Sequence, residues 1–356
     1  MPLKVLVTGA TGLIGGWAAR ELASRGHELR VLVRPGSRLD NLEDIPAERV
    51  AGDVTDRESV ERAVAGRDAV LHAAGLARLR AGDLPRLLAV NRDGTANVLE
   101  AALRAGVRRA VCLSSVGAMG GTLDPVALDE SWAGSAEDSG VDYFVSKLEG
   151  ERAAIEIGRR GLPLVVLRPG SILGPGDVYH SSCGLVLLLA RGEVPALFQG
   201  GTSYADVRDV AKAQAEALER GRPGEIYVVG GHNVEKSELA RIVSRLTGVP
   251  APPLVPYWFM LGSAFLQELR AKLRGERPHI SRQLIRGGRR YTYLSSEKAR
   301  RDFGYRTRSF EETVRDTLRW FLAHGDLEPV TPELRRLAAS APTETPAPAE
   351  AEAAVS

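Results

Sequence analysis

The sequence has few cysteines, almost no net charge and no long apolar run, and each shortage excludes a class of protein. Two cysteines in 356 residues, Cys112 and Cys183, cannot build a disulfide scaffold or a multi-cysteine zinc site, and they suit a reducing compartment. A formal charge of +2 lacks the basic excess of a dedicated nucleic-acid-binding protein. The six histidines are scattered without an i, i+4 pair, so we expect no metal site.

No apolar run approaches the roughly 18 residues that a membrane-spanning helix needs. The first residues enter a strand-like run directly, without the pattern of a signal peptide. We therefore expect a cytoplasmic, globular protein that binds no nucleic acid.

What the sequence does contain is a regular alternation of apolar runs and stretches with helical spacing. The runs are continuous rather than alternating, which is typical of strands buried on both faces of a sheet. The predicted strands are Val5–Val7, Leu29–Val33, Ala69–Leu71, Arg109–Leu113 and Leu164–Leu167. The predicted helices are Gly15–Arg25, Glu58–Val64, Asn91–Ala105 and Tyr143–Arg159. This order predicts an α/β fold with a Rossmann-type, doubly wound parallel sheet.

A glycine-rich turn lies between the first predicted strand and the first predicted helix. Glycines at positions 9, 12 and 15 permit a tight turn, close approach of a pyrophosphate and close packing of helix on strand. The helix start also offers N–H groups and the positive end of its dipole to phosphates. Because a strand precedes the turn and a helix follows it, we predict a dinucleotide site there. Its residues are Gly9, Thr11, Gly12, Leu13, Ile14 and Gly15.

The end of the second predicted strand indicates which dinucleotide is bound. NAD-specific sites usually have an acidic residue there, which binds the ribose hydroxyls. This strand is followed by Arg34, with Ser37 and Arg38 close behind. A guanidinium pairs with a 2′-phosphate through two hydrogen bonds. The sequence therefore favours NADP(H) over NAD(H), the alternative being a solvated basic loop over the adenine.

A phenol and an ammonium group, those of Tyr143 and Lys147, lie four residues apart on one face of a predicted helix. The ammonium charge is expected to lower the pKa of the tyrosine, so that the phenol exchanges a proton with a substrate oxygen. Ser114 and Ser115 end the strand Arg109–Leu113 at the sheet edge where ligands bind, and a hydroxyl there can orient that oxygen.

Taken together, these motifs resemble those of the extended branch of the short-chain dehydrogenase/reductase superfamily, the NAD-dependent epimerase/dehydratase family. The matching motifs cover most of residues 3–230. They are Thr8-Gly9-x-x-Gly12-x-x-Gly15, Gly52-Asp53-Val54-Thr55-Asp56, His72-Ala73-Ala74, Asn91-x-x-Gly94-Thr95, Ser114-Ser115, Tyr143-x-x-x-Lys147, Arg168-Pro169 and Gly174-Pro175-Gly176-Asp177, with a weaker match in residues 204–211.

The resemblance implies a catalytic set of Ser115, Tyr143 and Lys147, with Ser115 chosen because it is the second serine of its pair. It also implies roles in cofactor binding. Asp53 and Val54 would contact the adenine, Ala73 and Ala74 would line the cofactor, Lys147 would hold the nicotinamide ribose and Pro169 would border the nicotinamide. Asn91 matches a motif position for which a helix-shaping role and a catalytic role stay open. A homodimer through the helices Asn91–Ala105 and Tyr143–Arg159 is a further implication.

Three departures from the motifs of other members bear on which members the chain is closest to. Sugar-nucleotide enzymes of the family commonly carry an Asn on a substrate phosphate where this sequence has Ser171, and Arg34 fits poorly with an enzyme that retains NAD. Val116 after the serine pair also differs from a dehydratase pattern. The sequence looks more like dihydroflavonol reductase and hydroxysteroid dehydrogenase, which implies hydride transfer between NADP(H) and a small apolar or cyclic alcohol or carbonyl. A sugar-nucleotide epimerase or dehydratase and a non-catalytic NADP sensor are the alternatives.

The alternation loosens after about residue 168. We predict an NADP-binding domain over residues 1–170, rejoined by segments near 200–235, and a smaller α/β lobe over 171–337 that mainly binds substrate. Residues 338–356 are almost wholly Ala, Pro, Glu, Thr and Ser, which predicts a disordered tail because too little apolar surface can be buried.

Residues 270–301 stand apart by charge, with eleven Lys/Arg and two Glu. This basic segment follows an apolar, helix-like stretch at residues 257–266. One interpretation is a solvated face beside a helix that closes the substrate pocket. The other is an interfacial helix, within 257–301, that makes peripheral contact with a membrane of anionic lipid.

Overall fold

The structure, a computed structural model, describes residues 2–77, 83–274 and 281–340. The strands in these residues are β1 (Lys4–Thr8), β2 (Glu28–Val33), β3 (Ala47–Ala51), β4 (Ala69–His72), β5 (Arg109–Leu113), β6 (Leu164–Pro169), β7 (Ser171–Leu173), β8 (Gly201–Asp206), β9 (Ile226–Val229), β10 (His232–Glu235) and β11 (Tyr291–Thr292). The helices are α1 (Leu13–Ser24), α2 (Arg57–Val64), α3 (Leu84–Leu88), α4 (Gly94–Arg104), α5 (Asp142–Arg159), α6 (Gly184–Ala190), α7 (Val207–Arg220), α8 (Lys236–Thr247), α9 (Tyr257–Arg274), α10 (Arg282–Arg289), α11 (Glu297–Phe303), α12 (Phe310–Ala323) and α13 (Pro332–Ala339).

Seven parallel strands form the large sheet, in the order β3-β2-β1-β4-β5-β6-β9. The order reverses between β1 and β4, which is the switch point at which ligands bind in doubly wound sheets. The predicted α/β fold with a Rossmann-type sheet is therefore confirmed.

Continuous apolar strands are explained by helices on both faces of this sheet. Along β1, Val5 and Val7 pack under α1 and α7 on one face, whereas Leu6 packs under α2, α4 and α5 on the other. Side chains that alternate between two buried faces must be apolar at every position, because neither face meets water.

A second, smaller sheet is built around β8, which pairs with β7, β10 and β11. Helices α6, α8, α12 and α13 share one apolar core with this sheet. A separate small cluster of Phe198, Met260, Ala264 and Ile285 lies under α9 and α10. Residues 200–235 divide between the two sheets, since β8 and β10 belong to the smaller one and β9 joins the larger one beside β6.

Two sequence-based predictions need correction. Strand β3 was not predicted, because its sequence Ala-Glu-Arg-Val-Ala carries two adjacent charges and is mostly exposed at the edge of the sheet. The predicted disordered tail begins too early, because Ala338 and Ala339 are the last residues of α13, where Leu334 and Leu337 are buried. The rest of that predicted tail, residues 341–356, lies outside the described residues.

Candidate active site

The predicted site residues lie at one edge of the large sheet, where its parallel strands end. The turn from Gly9 to Gly15 follows β1, Arg34 follows β2, Asp53 and Val54 follow β3, Ala73 and Ala74 follow β4, Ser115 follows β5, Pro169 ends β6, and Tyr143 and Lys147 lie on α5. The fold thus brings residues from seven separate segments to the carboxyl edge, which is the edge that binds ligands in open α/β sheets.

Close backbone approach explains two of the three glycines of the turn. Gly9 has φ +77°, and a Cβ there would lie 2.6 Å from the backbone nitrogen of Ala74 and 2.7 Å from the carbonyl of Ala73. A Cβ on Gly15 would overlap the carbonyl oxygen of Gly9. A Cβ on Gly12 would meet only that same oxygen, at 3.4 Å, so the space above Gly12 is open to a ligand.

No side chain among the described residues caps the N–H groups in the first turn of α1. Gly12 is the N-cap residue, it offers no side chain, and no acidic residue lies in the first turn. Uncapped N–H groups beside an open space suit an anion such as a pyrophosphate. The turn therefore fits a dinucleotide on its own geometry.

Two side chains that sequence reasoning missed connect this turn to the smaller lobe. The buried Asn41 amide donates to the carbonyl oxygens of Thr11, at 3.3 Å, and Gly176, at 3.0 Å. The Trp17 indole donates to the carbonyl oxygen of Pro175 at 2.7 Å. The one sequence feature that bears on this contact is the motif Gly174-Pro175-Gly176-Asp177, and the motif does not indicate which residues bind to it.

The two arginines after β2 differ in their partners. Arg38 forms an ion pair with Asp40 at 2.5 Å and donates to the carbonyl oxygen of Val178 at 3.3 Å. The Arg34 side chain is exposed, and its guanidinium has no hydrogen bond or ion pair with any described residue. Arg34 is therefore the guanidinium that is free to bind a phosphate.

The segment predicted to contact the adenine is held by its own hydrogen bonds. The Asp53 carboxylate accepts from both the backbone N–H and the hydroxyl of Thr55, at 2.9 and 2.8 Å. The Val54 carbonyl accepts from the Asn97 amide at 2.9 Å. These hydrogen bonds hold the end of β3 in place and do not use the open space above Gly12.

The serine pair after β5 divides into one buried, structural hydroxyl and one that faces the tyrosine. Ser114 is buried and donates to the Glu151 carboxylate at 2.6 Å, and Arg168 donates two hydrogen bonds to the same carboxylate at 2.6 and 3.0 Å. Ser115 accepts from the backbone N–H of Gly117 at 3.0 Å, and its hydroxyl lies beside the phenol of Tyr143, whose pKa it lowers. The geometry therefore agrees with the choice of Ser115 over Ser114.

Lys147 does not act on Tyr143 as the sequence led us to expect. Its ammonium group donates to the carbonyl oxygen of Leu113 at 3.0 Å. Burial raises the pKa of Tyr143, and the neighbouring Ser115 hydroxyl offsets part of that rise. The expected lowering of the tyrosine pKa by the neighbouring ammonium is therefore wrong in this structure. Burial also lowers the pKa of Lys147, against the opposing influence of Cys112 and Glu151.

A buried histidine joins the turn to the helix layer, and sequence reasoning gave it no role beyond its motif. His72 Nδ1 lies 2.8 Å from the Thr8 hydroxyl, and Nε2 lies 3.0 Å from the Thr95 hydroxyl, which donates to the Asn91 carbonyl at 2.7 Å. Burial, with the charge of Lys147 as a second cause, lowers the pKa of His72 to about 3. A neutral imidazole therefore links β1, β4 and α4.

The side chain of Asn91 is held by hydrogen bonds to the loop after β4 and to α5. It lies in a π-helical segment, Ala89–Asp93, that precedes α4. Its amide oxygen accepts from the Leu76 N–H at 2.8 Å, and its amide nitrogen donates to the Leu76 carbonyl and the Ser146 hydroxyl. Of the two roles left open by the sequence, the structure favours the one that shapes the helix and holds the loop after β4.

Residues 5–230 match the sequence pattern of the NAD-dependent epimerase/dehydratase family. Sterol demethylase protein B of Methylococcus capsulatus is 33% identical over 331 residues, which are 91% of this chain and 99% of that protein. A 3-beta-hydroxysteroid dehydrogenase of Mycolicibacterium neoaurum is 30% identical over 320 residues, 85% of this chain and 86% of that protein. These similarities agree with the resemblance to hydroxysteroid dehydrogenases predicted from the motifs.

A solved structure extends the similarity to a sugar-nucleotide enzyme. UDP-glucose 4-epimerase of Thermus thermophilus, in complex with NAD, superposes with a TM-score of 0.71 at 27% identity, covering 89% of this chain and 98% of that one. The shared fold thus hosts a nicotinamide dinucleotide in that protein.

Proposed function

The chain belongs to the NAD-dependent epimerase/dehydratase family, and from that premise we propose that it interconverts an alcohol and a carbonyl on a small apolar or cyclic substrate, with NADP(H). The observation that carries the proposal is the placement of the Ser115 hydroxyl beside the Tyr143 phenol, with Lys147 hydrogen-bonded to the last residue of β5. Bound NADP(H) would supply or accept the hydride. The relatives named for a sterol and a hydroxysteroid support a ring-containing substrate.

The proton chemistry follows from Ser115 and Tyr143. Because burial raises the pKa of Tyr143, its phenol is protonated at neutral pH and can donate a proton to a carbonyl oxygen that is being reduced. The Ser115 hydroxyl lies beside the same phenol and can orient the substrate oxygen. Oxidation of an alcohol needs the opposite form: Tyr143 would first lose its proton to solvent, and its phenolate would then take the alcohol proton.

Replacing Tyr143 by Phe tests this assignment. The variant loses the proton donor but keeps the ring, so we expect kcat to fall by about 10²- to 10⁴-fold while the Kd for NADPH changes little. NADPH oxidation is measured with a panel of cyclic and aliphatic ketones, including steroid ketones. Tyr305→Phe is the control, since the buried Tyr305 hydroxyl has no hydrogen-bond partner among the described residues. An active Tyr143→Phe enzyme would contradict the assignment.

The preference for NADP(H) is supported by the free guanidinium of Arg34. We expect the protein to bind NADPH more tightly than NADH, and Arg34→Ala to weaken NADPH binding about tenfold or more while NADH binding stays unchanged. Arg38→Ala is the matched control, because Arg38 is already paired with Asp40. Calorimetric titration of each protein with both cofactors measures the affinities, and an equal loss for both cofactors would assign Arg34 a structural role instead.

A sugar-nucleotide epimerase is the second candidate, favoured by the superposition on UDP-glucose 4-epimerase. Against it, Ser171 stands where such enzymes commonly carry Asn, and its hydroxyl lies 3.1 Å from that of Thr202 in the small sheet. Mass spectrometry of the purified, denatured protein separates the candidates. Tightly retained NAD⁺ would favour the epimerase, and an empty protein that takes up NADPH reversibly would favour the reductase.

A further inference from the structure

Exposed apolar side chains are concentrated on one helix of the smaller lobe. Thirteen large apolar residues are exposed in the described part of the chain, and six of them belong to α9, with exposed fractions from 45% to 79%. The six are Trp258, Phe259, Phe265, Leu266, Leu269 and Leu273. Such a concentration marks a surface that contacts an apolar partner rather than the scattered apolar residues of an ordinary surface.

These six side chains form one continuous stripe. At 100° per residue they lie within roughly 120° of the helix circumference. Gly262 lies in the same stripe, and a Cβ there would meet no atom within 4 Å. The opposite face carries Met260, Ala264 and Ala271, which are buried against the lobe. The helix therefore has two apolar faces, one buried against the lobe and one turned outward.

Cations border the stripe on both sides. By the same angular spacing, Arg270 lies just beyond one edge and Lys272 just beyond the other, with Arg274 at the helix end. These three side chains are exposed and have no carboxylate partner among the described residues, and the same holds for Arg286 on α10. The acidic residue of α9, Glu268, is paired with Arg282 at 2.6 Å.

We infer that α9 lies flat on the surface of an anionic phospholipid bilayer, with the apolar stripe inserted below the headgroups and the bordering cations over their phosphates. An apolar face flanked by Lys and Arg is the pattern that binds such surfaces. No helix in the described residues has the length and apolarity to cross a bilayer, so the contact is peripheral.

A second copy of the chain fits this stripe less well than a lipid surface does. In a symmetric pairing, the cationic C-terminal half of one α9 would lie against the first turn of the other, where no acidic residue is present. The cations would then stay unpaired at the interface. An anionic lipid surface supplies the missing negative charge together with the apolar phase.

The position of α9 connects this surface to the reacting edge. Helix α10 packs on α9, and a Cβ on Gly287 of α10 would lie 3.0 Å from Val141, the residue just before α5. Arg290 donates to the carbonyl oxygens of Gly121 and Asp138, both at 2.9 Å. Uptake of a water-insoluble substrate from the bilayer rests on the proposed function, whereas the membrane contact itself does not.

Vesicle flotation of the full chain tests the contact. We expect binding to vesicles of phosphatidylcholine with about a third phosphatidylserine, weak binding to pure phosphatidylcholine, and release by salt. The double variant Leu266→Gln, Leu273→Gln should bind anionic vesicles at least about tenfold more weakly. Its control is Leu188→Gln, Val330→Gln, which changes exposed apolar residues elsewhere and should bind as the unaltered protein does.

The contribution of charge is tested with Arg270→Glu, Lys272→Glu, for which we expect a loss of about 25-fold or more, since each cation near the surface contributes about fivefold. Arg62→Glu, Arg159→Glu, on α2 and at the end of α5, is the matched control. Trp258, which is 71% exposed, should shift its fluorescence emission to the blue on vesicle addition, and Trp258→Phe should abolish that shift.

Failure to bind anionic vesicles, or equal binding by the α9 variants and their controls, would overturn the inference. A dimer that Leu266→Gln, Leu273→Gln dissociates, without any vesicle binding, would assign the stripe to self-association instead. The Tyr143→Phe variant should float with vesicles as the unaltered protein does. That measurement separates failure of the membrane contact from failure of the proposed activity.

Discussion

The glycine turn after β1 and helix α9 are the two surfaces for which we propose a binding partner, and they are built in opposite ways. At the turn, a single Cβ on Gly9 would overlap the backbone of Ala73 and Ala74. On α9, a Cβ on Gly262 would meet nothing within 4 Å. The proposed binding at the turn would thus be inseparable from the packing of the fold, whereas the proposed binding at α9 could be removed without changing the core.

The charged residues show the same contrast. In the body of the molecule, buried Arg208 donates to Asp206 at 2.8 Å and to Asp316 at 2.8 Å, and Arg168 donates to Glu151. On α9, Arg270 and Lys272 have no such partner among the described residues. A buried cation must be paired, because an unpaired charge away from water is costly, but an exposed one is free to meet an external anion.

The largest expected difference between the two surfaces is the change in the free energy of unfolding when one methyl group is added to each. Gly9→Ala combines a left-handed backbone conformation with a clash against backbone atoms, so we expect the free energy of unfolding to fall by about 2–5 kcal/mol. Gly262→Ala adds the same group to an exposed helix position and should raise it by about 0.5–1 kcal/mol. Urea unfolding measures both free energies. A Gly9→Ala protein as stable as the unaltered one would contradict the difference drawn between the turn and α9.

A smaller effect is expected in the pH dependence of the free energy of unfolding, which involves the turn and not α9. His72 is only 1% exposed, and its folded-state pKa of about 3 lies below the ordinary value of 6.5. Below pH 6.5 the unfolded chain therefore binds a proton that the folded protein does not, and stability falls by about 1.4 kcal/mol per pH unit until the folded pKa is reached. At pH 5 the loss from this residue should be about 2 kcal/mol.

The measurement is urea unfolding at pH 7 and pH 5 of the unaltered protein and of His72→Gln, which retains a donor and an acceptor but does not titrate in this range. We expect the variant to lose about 2 kcal/mol less than the unaltered protein over that interval. Equal losses would show that His72 does not govern the acid sensitivity of the turn. Vesicle binding by α9, in contrast, should respond to ionic strength.

The sequence predicted the parts of the fold whose signal is local. The apolar runs at β1, β2, β4, β5 and β6 were found because both faces of those strands are buried. Strand β3 was missed because an edge strand can be charged and exposed, as Glu48 and Arg49 are. The residue pattern also placed an apolar helix at the start of α9, but it could not show which face is outward.

The candidate site divides in the same way. Short motifs with a characteristic spacing can be recognised in the sequence alone. They contain four of the site residues: Gly9, Ser115, Tyr143 and Lys147. Other side chains bond to partners that are distant in sequence, as Asn41 does to Gly176, and no spacing in the sequence predicts these contacts. They are Asn41, Trp17, Glu151 and His72. The direction of the Tyr143 pKa shift was also beyond the sequence, because burial depends on what packs around the phenol.

The sequence by itself determined the doubly wound sheet and the dinucleotide turn, since periodic burial and glycine spacing are properties of neighbouring residues. Only the tertiary structure decided that Asn41 and Trp17 tie the turn to the smaller lobe, that burial raises the pKa of Tyr143, and that the stripe on α9 faces outward. Each of these depends on which distant group occupies the space around a side chain. Such occupancy is set by the packing of the whole chain and by no local pattern.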